Sequence, residues 1–330
     1  MKILVCGGAG YIGSHVVREL LEKNYEVVVL DNLSTGHQEA VPIGVAFEIG
    51  DIRDPEFLKA TFCKHDIVCV MHFCANSLVG ESMENPLMYY NNNVNGTLSL
   101  LEAMVNANVK KFVFSSTAAV YGEPDELPIT EETEKKPTNT YGETKLAVEK
   151  MLPWMKKAHG LNYMIFRYFN ASGAHSSGEI GEDHQPESHL IPLVLKTAQG
   201  IREKIVIFGE DYDTLDGSCI RDYIHVLDIA SAHILGMEKL MDGGESEIFN
   251  LGNGNGFSVK DVIKRAREIT QKKIMVEIGD RRTGDPGVLV ASSQKAQSHL
   301  GWTPKNSDLN QIIKTAWKWH QAHPQGFEEK

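Results

Sequence analysis

The chain has 330 residues, 42% of them hydrophobic, enough to bury one large core or two modest ones, and this excludes a disordered or fibrous protein. Its formal net charge of −11 is spread along the sequence rather than gathered in a tail, which argues against a general nucleic-acid or anionic-membrane surface. The five cysteines, Cys6, Cys63, Cys69, Cys74 and Cys219, form no C-x-x-C pair and mostly sit in apolar runs, so a reducing, cytoplasmic location is expected.

Glycines and polar residues interrupt the apolar start from Gly7 onward, which speaks against a signal peptide. No stretch approaches the roughly eighteen consecutive apolar residues that a membrane span needs. Short β-branched runs at 3–6, 26–30, 67–72, 111–115 and 163–168 alternate with amphipathic stretches, a pattern that predicts a parallel sheet covered on both faces. The expected fold is therefore α/β, a Rossmann-type doubly wound parallel sheet over residues 1–172 followed by a smaller mixed α/β substrate domain over 173–330. Residues 223–240 read as a strand and a helix that can return to the first domain. The stretch 173–188, rich in glycine, histidine and acids, reads as a mobile cover.

The first run leads into Gly7-Gly8-Ala9-Gly10-Tyr11-Ile12-Gly13 and then into a helical pattern. Gly7 and Gly10 permit a tight turn and close backbone approach to a pyrophosphate, Gly13 permits close helix–strand packing, and the helix N-terminus offers N–H groups to phosphates. Asp31 ends the second strand eighteen residues after Gly13, where a carboxylate can accept hydrogen bonds from ribose hydroxyls and repel a 2′-phosphate. NAD is thus expected rather than NADP. Further on, Tyr141-Gly142-Glu143-Thr144-Lys145 places a tyrosine and a lysine one helical turn apart, on a helix expected to start at Pro137 with a Thr140/Glu143 capping box. A nearby cation is the simplest way to turn a phenol into a base near neutral pH.

The glycine motif, Asp31 and the Tyr141/Lys145 pair together resemble the extended short-chain dehydrogenase/reductase family. Longer blocks, Asn92-Asn93-Val94-Asn95-Gly96-Thr97, 115–122, Arg167-Tyr168-Phe169-Asn170, Arg221-Asp222-Tyr223-Ile224-His225-Val226 and Asn250-Leu251-Gly252, are similar to its UDP-glucose 4-epimerases from end to end. That resemblance implies inversion at C4 of UDP-galactose and UDP-glucose through a 4-keto sugar, with hydride held transiently by bound NAD, in galactose metabolism. It implies Tyr141, Lys145 and Thr117 as catalytic residues, with Thr117 holding the reacting oxygen and Lys145 also binding the nicotinamide ribose. Cofactor positions then include Tyr11, Ile12, Asn32, Asp51, Ile52, Phe73, Asn92 and Phe169 beside the glycines. Thr117, Tyr141, Asn170, His189, Leu190, Arg221, Arg282, Asp285 and Leu289 match the nucleotide-sugar side, where two guanidiniums answer the need for local positive charge. A homodimer is expected from the family.

Three positions depart from the family pattern: Ser77 stands where a lysine is frequent near the cofactor phosphates, His189 where an asparagine is frequent, and Leu289 where some members carry tyrosine. The smaller Leu289 makes room for UDP-N-acetylhexosamines. A dehydratase is disfavoured because Ala118-Ala119 replaces the acids that elimination needs. A net NADP-dependent reductase is opposed by Asp31, and a non-catalytic dinucleotide sensor by the joint presence of Thr117, Tyr141 and Lys145. No metal is expected, because the thirteen histidines contain neither H-E-x-x-H nor a closely spaced Cys/His set.

Overall fold

Residues 1–281 and 286–327 are described by the computed structural model. The strands, in chain order, are β1 (Lys2–Cys6), β2 (Glu26–Asp31), β3 (Ala46–Ile49), β4 (Ile67–His72), β5 (Lys111–Thr117), β6 (Asn162–Tyr168) and β7 (Asn170–Ser172). They continue with β8 (Ile205–Phe208), β9 (Ile220–Arg221), β10 (Tyr223–His225), β11 (Glu247–Leu251), β12 (Phe257–Ser258), β13 (Val276–Gly279) and β14 (Val288–Leu289). Helices are α1 (Tyr11–Glu22), α2 (Pro55–Lys64), α3 (Val79–Glu84), α4 (Pro86–Tyr89), α5 (Gly96–Asn106), α6 (Thr140–His159), α7 (Leu190–Gln199), α8 (Val226–Met241), α9 (Val259–Thr270), α10 (Gln294–Leu300) and α11 (Leu309–Ala322). A π-helical turn, Tyr90–Asn95, joins α4 to α5.

Seven strands pair in the order β11-β6-β5-β4-β1-β2-β3, every pair parallel. The order reverses between β1 and β4, the switch point at which doubly wound sheets open a binding crevice. Both faces are covered, which is why the strands read as unbroken apolar runs. Ile3, Val5, Val27 and Val29 turn toward α1 and α8, packing on Val16, Leu20, Ile234 and Met237. Leu4, Cys6, Val28 and Leu30 turn the other way, toward Leu58 and Phe62 of α2, Leu100 and Met104 of α5, and Val148 and Leu152 of α6. Each of these side chains, once fully buried, contributes roughly 1.5–3 kcal/mol.

A third core lies outside the sheet, where Ile191 and Leu195 of α7, Val262 and Ile263 of α9, and Ile312 and Ile313 of α11 enclose β8 and its parallel partner β13. Short pairs complete this part: β7 with β10, and β9 between β12 and β14. α8 leaves β10 and packs across β5 and β6 beside α1, and β11 then adds the seventh strand on β6. Helix α6 starts as Thr140 becomes helical, but the expected capping box does not form. Asn139 is the cap, extended at φ −147, its side chain accepting from the Gly142 N–H at 2.8 Å.

Candidate active site

The crevice at the switch point is lined by Gly7, Gly10, Asp31, Asn32, Ile52, Phe73, Cys74 and Asn92. Gly7 has φ +79, and a Cβ there would stand 2.6 Å from the Cys74 backbone nitrogen. A Cβ at Gly13 would overlap the Gly7 carbonyl, so the loop closes on itself only with glycine at both places. Gly10 caps α1 without a side-chain hydrogen bond and the first turn carries no acid, leaving its N–H groups and positive dipole end for an anion. Tyr11 and Ile12 open that helix, and the Tyr11 hydroxyl donates to the Gly173 carbonyl at 2.6 Å.

Asp31 accepts from the Ala9 N–H on one oxygen (3.0 Å) and from the Leu33 N–H on the other (2.9 Å). Burial raises its pKa against the pull of those two bonds. Each oxygen keeps a lone pair toward the crevice, the arrangement a ribose diol requires. Asn32 donates to Asp51 at 2.9 Å, and Arg53 grips the same carboxylate at 2.6 and 2.8 Å, holding it well below the usual range. Ile52 is buried, and Ser77 lies exposed in the loop after β4. Glycines that a side chain would obstruct, a bare helix start and a ribose-type carboxylate are the donor set of a dinucleotide pocket.

Strand β5 ends on Thr117, whose side chain hydrogen-bonds Tyr141, and α6 carries Tyr141 and Lys145 one turn apart. Burial pushes the Tyr141 phenol up to about 12, against a hydrogen bond from Thr117 that favours the anion. Lys145 lies beneath, its ammonium donating to the Ser115 carbonyl at 2.7 Å and sitting 4.8 Å from the centroid of the Phe114 ring. Burial lowers its pKa to about 8, with Cys74 and Glu149 pulling the other way.

On the far side, Asn170 starts β7 with its N–H on the Asp222 carbonyl. Arg221 and Leu289 are register partners across β9 and β14, and Leu289 packs with Phe169 on the cluster of Val120, Tyr121, Ile129 and Leu146. Leu190 opens α7 against the third core. His189 caps that helix by position, yet its Nδ1 is engaged with Glu182 at 2.8 Å and Glu187 at 3.2 Å. Burial disfavours its charged form, but those carboxylates push its pKa up to about 11. Arg282 and Asp285 lie outside the described residues.

Several residues that build the site escaped the sequence reading. Glu149, one turn beyond Lys145 on α6, is clamped by Arg167 of β6 at 2.9 and 2.5 Å and accepts from the Ser116 hydroxyl at 2.5 Å. Arg167 also donates to the Tyr121 hydroxyl at 2.8 Å, which donates to Asn250 of β11 at 2.6 Å. Asn93, on the π turn, accepts from the Asn76 N–H at 2.9 Å and donates to Thr144 at 3.0 Å, stapling the crevice loop to the catalytic helix. The i, i+4 spacing of Lys145 and Glu149 was a usable signal. The rest depended on tertiary neighbours.

A model of the family described as "NAD dependent epimerase/dehydratase family" matches residues 3–252. The UDP-glucose 4-epimerase of Halalkalibacterium halodurans is 58% identical over 327 residues, covering 99% of this chain and 98% of that protein. A crystal structure of UDP-glucose 4-epimerase superposes with TM-score 0.98 at 59% identity over the whole of both chains. The crystal structure of UDP-glucose 4-epimerase from Brucella ovis in complex with NAD gives TM-score 0.94 at 46% identity, covering 96% of this chain and 97% of that one. With full-length identity above one half, the chain belongs to the NAD dependent epimerase/dehydratase family and, within it, to the UDP-glucose 4-epimerases.

Proposed function

We propose that this chain interconverts UDP-galactose and UDP-glucose by inverting the C4 hydroxyl through a 4-keto sugar, with NAD held in the crevice at the switch point. The observation that supports the reading is the Thr117 hydroxyl on the buried Tyr141 phenol, with Lys145 one turn along the same helix and close enough to Cys74 of the crevice lining to feel its charge. Tyr141 takes the proton from the 4-hydroxyl and returns it, Thr117 orients the phenol and the reacting oxygen, and Lys145 supplies positive charge beneath both. Gly7, Gly10 and Gly13 with the start of α1 hold the pyrophosphate. Asp31 takes the adenosine ribose, and Asn32, Asp51 and Ile52 flank adenine.

Magnitudes show what else is required. Moving a phenol from about 12 to near 7 takes about 7 kcal/mol in favour of its anion. A cation brought to about 4 Å at intermediate dielectric supplies about 4 kcal/mol, so more than one positive charge must reach the phenol when the site is filled. Bound oxidised NAD supplies a second positive charge as well as the hydride acceptor and donor for C4.

Asn170, Leu190 and Arg221 form the sugar-nucleotide wall, with Phe169 between cofactor and sugar. Leu289 beside Phe169 leaves space at the sugar's 2-substituent, which supports UDP-N-acetylhexosamines as further substrates. We divide the chain functionally into the dinucleotide part, 1–172 with α8 and β11 returning to it, and the sugar-nucleotide part formed by the rest. Exposed apolar residues on neighbouring helices, Met83 of α3, Leu87 of α4, Leu98 of α5 and Trp154 of α6, support a homodimer through that face. All five cysteines are free, in keeping with a cytoplasmic site of action, and no helix of the described residues is long and apolar enough to cross a membrane.

The test is conversion of UDP-galactose by purified protein with mass analysis, alongside Tyr141→Phe. Product of equal mass without net reduced cofactor is expected, with kcat lowered by roughly 10³-fold or more in the variant while NAD stays bound. A product lighter by one water, or turnover unaffected by the substitution, would overturn the reading.

A further inference from the structure

The segment between Gly173 and α7 carries a four-residue set that the reaction does not use. Glu182, His184, Glu187 and His189 bring one ligand atom each to within 4.8 Å of one another. Both carboxylates are buried, Glu182 with 6% and Glu187 with 4% of its side chain exposed. His189 Nδ1 stands 2.8 Å from Glu182 Oε1 and 3.2 Å from Glu187 Oε1. His184 Nδ1 stands 3.3 Å from Glu182 Oε1 and 4.0 Å from Glu187 Oε2. A tetrahedral ion with bonds of roughly 2.0–2.1 Å spaces its ligands about 3.3 Å apart, close to the separations of both imidazoles from Glu182 Oε1, while Glu187 turns a different oxygen to each imidazole.

A second observation points to a ligand at the same place. Glu187 Oε2 is buried, has no hydrogen-bond partner among the described residues and faces the cluster, with His184 Nδ1 no closer than 4.0 Å. A buried carboxylate oxygen without a donor costs free energy, and water or a hydrogen-bonding neighbour ordinarily prevents it. A divalent cation between the two resolves that vacant oxygen.

We propose that Glu182, His184, Glu187 and His189 form a binding site for a divalent transition-metal ion, best suited to zinc. Two imidazole nitrogens and two carboxylate oxygens are a borderline donor set of the kind zinc prefers, and magnesium or calcium would call for more oxygen ligands. With neutral imidazoles the two carboxylates cancel the ion's charge, so the filled site is electrically neutral in its buried setting. Four protein ligands close the coordination sphere, which makes the ion structural rather than catalytic.

The ion would lock a segment that touches both ligand-binding walls. His184 meets the Tyr11 ring edge-on, His189 directly precedes Leu190 on α7, and the Glu182 carbonyl accepts from Trp319 of α11 at 3.1 Å.

The experiment uses the full chain made without a polyhistidine tag, stripped with EDTA, re-equilibrated with limiting zinc in a chelating buffer, and analysed by mass spectrometry for metal. About one zinc per chain is expected for the natural protein, with at least a tenfold loss of affinity in Glu187→Gln and in His184→Ala. EDTA should lower the Tm of the natural protein by several degrees and leave both variants nearly unmoved. Replacement with cobalt provides a readout that needs no variant, since tetrahedral cobalt absorbs visibly and the natural protein should show that band. No retained zinc and no cobalt band would overturn the site, as would full zinc binding by both variants, which would place the metal elsewhere, for instance on the exposed Cys63.

Discussion

Lys145 is held where its own charge is disfavoured: 4% exposed, on the Ser115 carbonyl, with its pKa lowered by burial to about 8. Burying that ammonium costs about 3 kcal/mol at neutral pH. The folded chain gives up this proton near pH 8 and the unfolded chain near 10.5. Between those values the unfolded state binds more protons, so stability rises with pH across that window. Lys145→Met should therefore abolish most turnover yet raise the Tm by a few degrees at pH 7, and that advantage should fade by about pH 10. Melting both proteins at the two pH values checks this, and an equal loss of stability at both would contradict it. At the other end of the pocket, Leu289→Tyr is expected to cut turnover of UDP-N-acetylglucosamine by roughly tenfold or more while leaving UDP-galactose within about threefold, in steady-state assays on both sugars.

Between elements, the Arg167–Glu149 pair ties β6 to α6 with nearly no solvent contact. Removing one partner of such a pair typically costs about 3–5 kcal/mol, because the other charge stays buried alone, whereas removing both costs far less. Urea denaturation should show Glu149→Leu and Arg167→Met each strongly destabilised and the double substitution recovering most of the loss. If the losses simply add, the pair is not the unit described here. This scale also marks what could be read in advance. Five of the first six strands announce themselves as apolar runs, and the glycine loop and the Tyr141/Lys145 helix by local spacing, whereas β3 is a four-residue edge strand interrupted by Glu48 and only partly buried. β11 does not announce itself either, because Glu247 and Asn250 break its apolar run, and Asn250 is buried through bonds to Tyr121 and Ile129 rather than by hydrophobicity. Its register is set against β6, some eighty residues earlier. The helix expected from Pro137 begins only at Thr140, and its cap is Asn139 rather than Thr140, since both are competent caps and only backbone geometry selects the first.

For the whole molecule, the cofactor crevice is built from the ends of β1, β2 and β4 and from the π turn, so a dinucleotide there adds a tie between parts already joined by the sheet and by the hydrogen bonds of Asp31 and Asn93. Stripping NAD should lower the Tm by several degrees, and adding it back should restore the value in a concentration-dependent way. Association is testable at the same scale. Leu98 is 48% and Trp154 67% exposed, so Leu98→Glu with Trp154→Glu should leave the fold intact. Light scattering is then expected to report a dimer for the natural chain and a monomer for the variant. An unchanged mass would remove that face from consideration.

The hydroxyl of Tyr11 on the carbonyl of Gly173 joins the first turn of the phosphate-binding helix to the start of the segment that leads to the sugar-nucleotide wall. Two binding events that share one strut obey reciprocity: whatever factor the dinucleotide gives to sugar-nucleotide affinity, the sugar nucleotide must return to the dinucleotide. An enzyme that reduces and reoxidises its cofactor within one turnover gains from that symmetry, since the cofactor is gripped hardest while a sugar is present and a premature departure would strand the keto sugar.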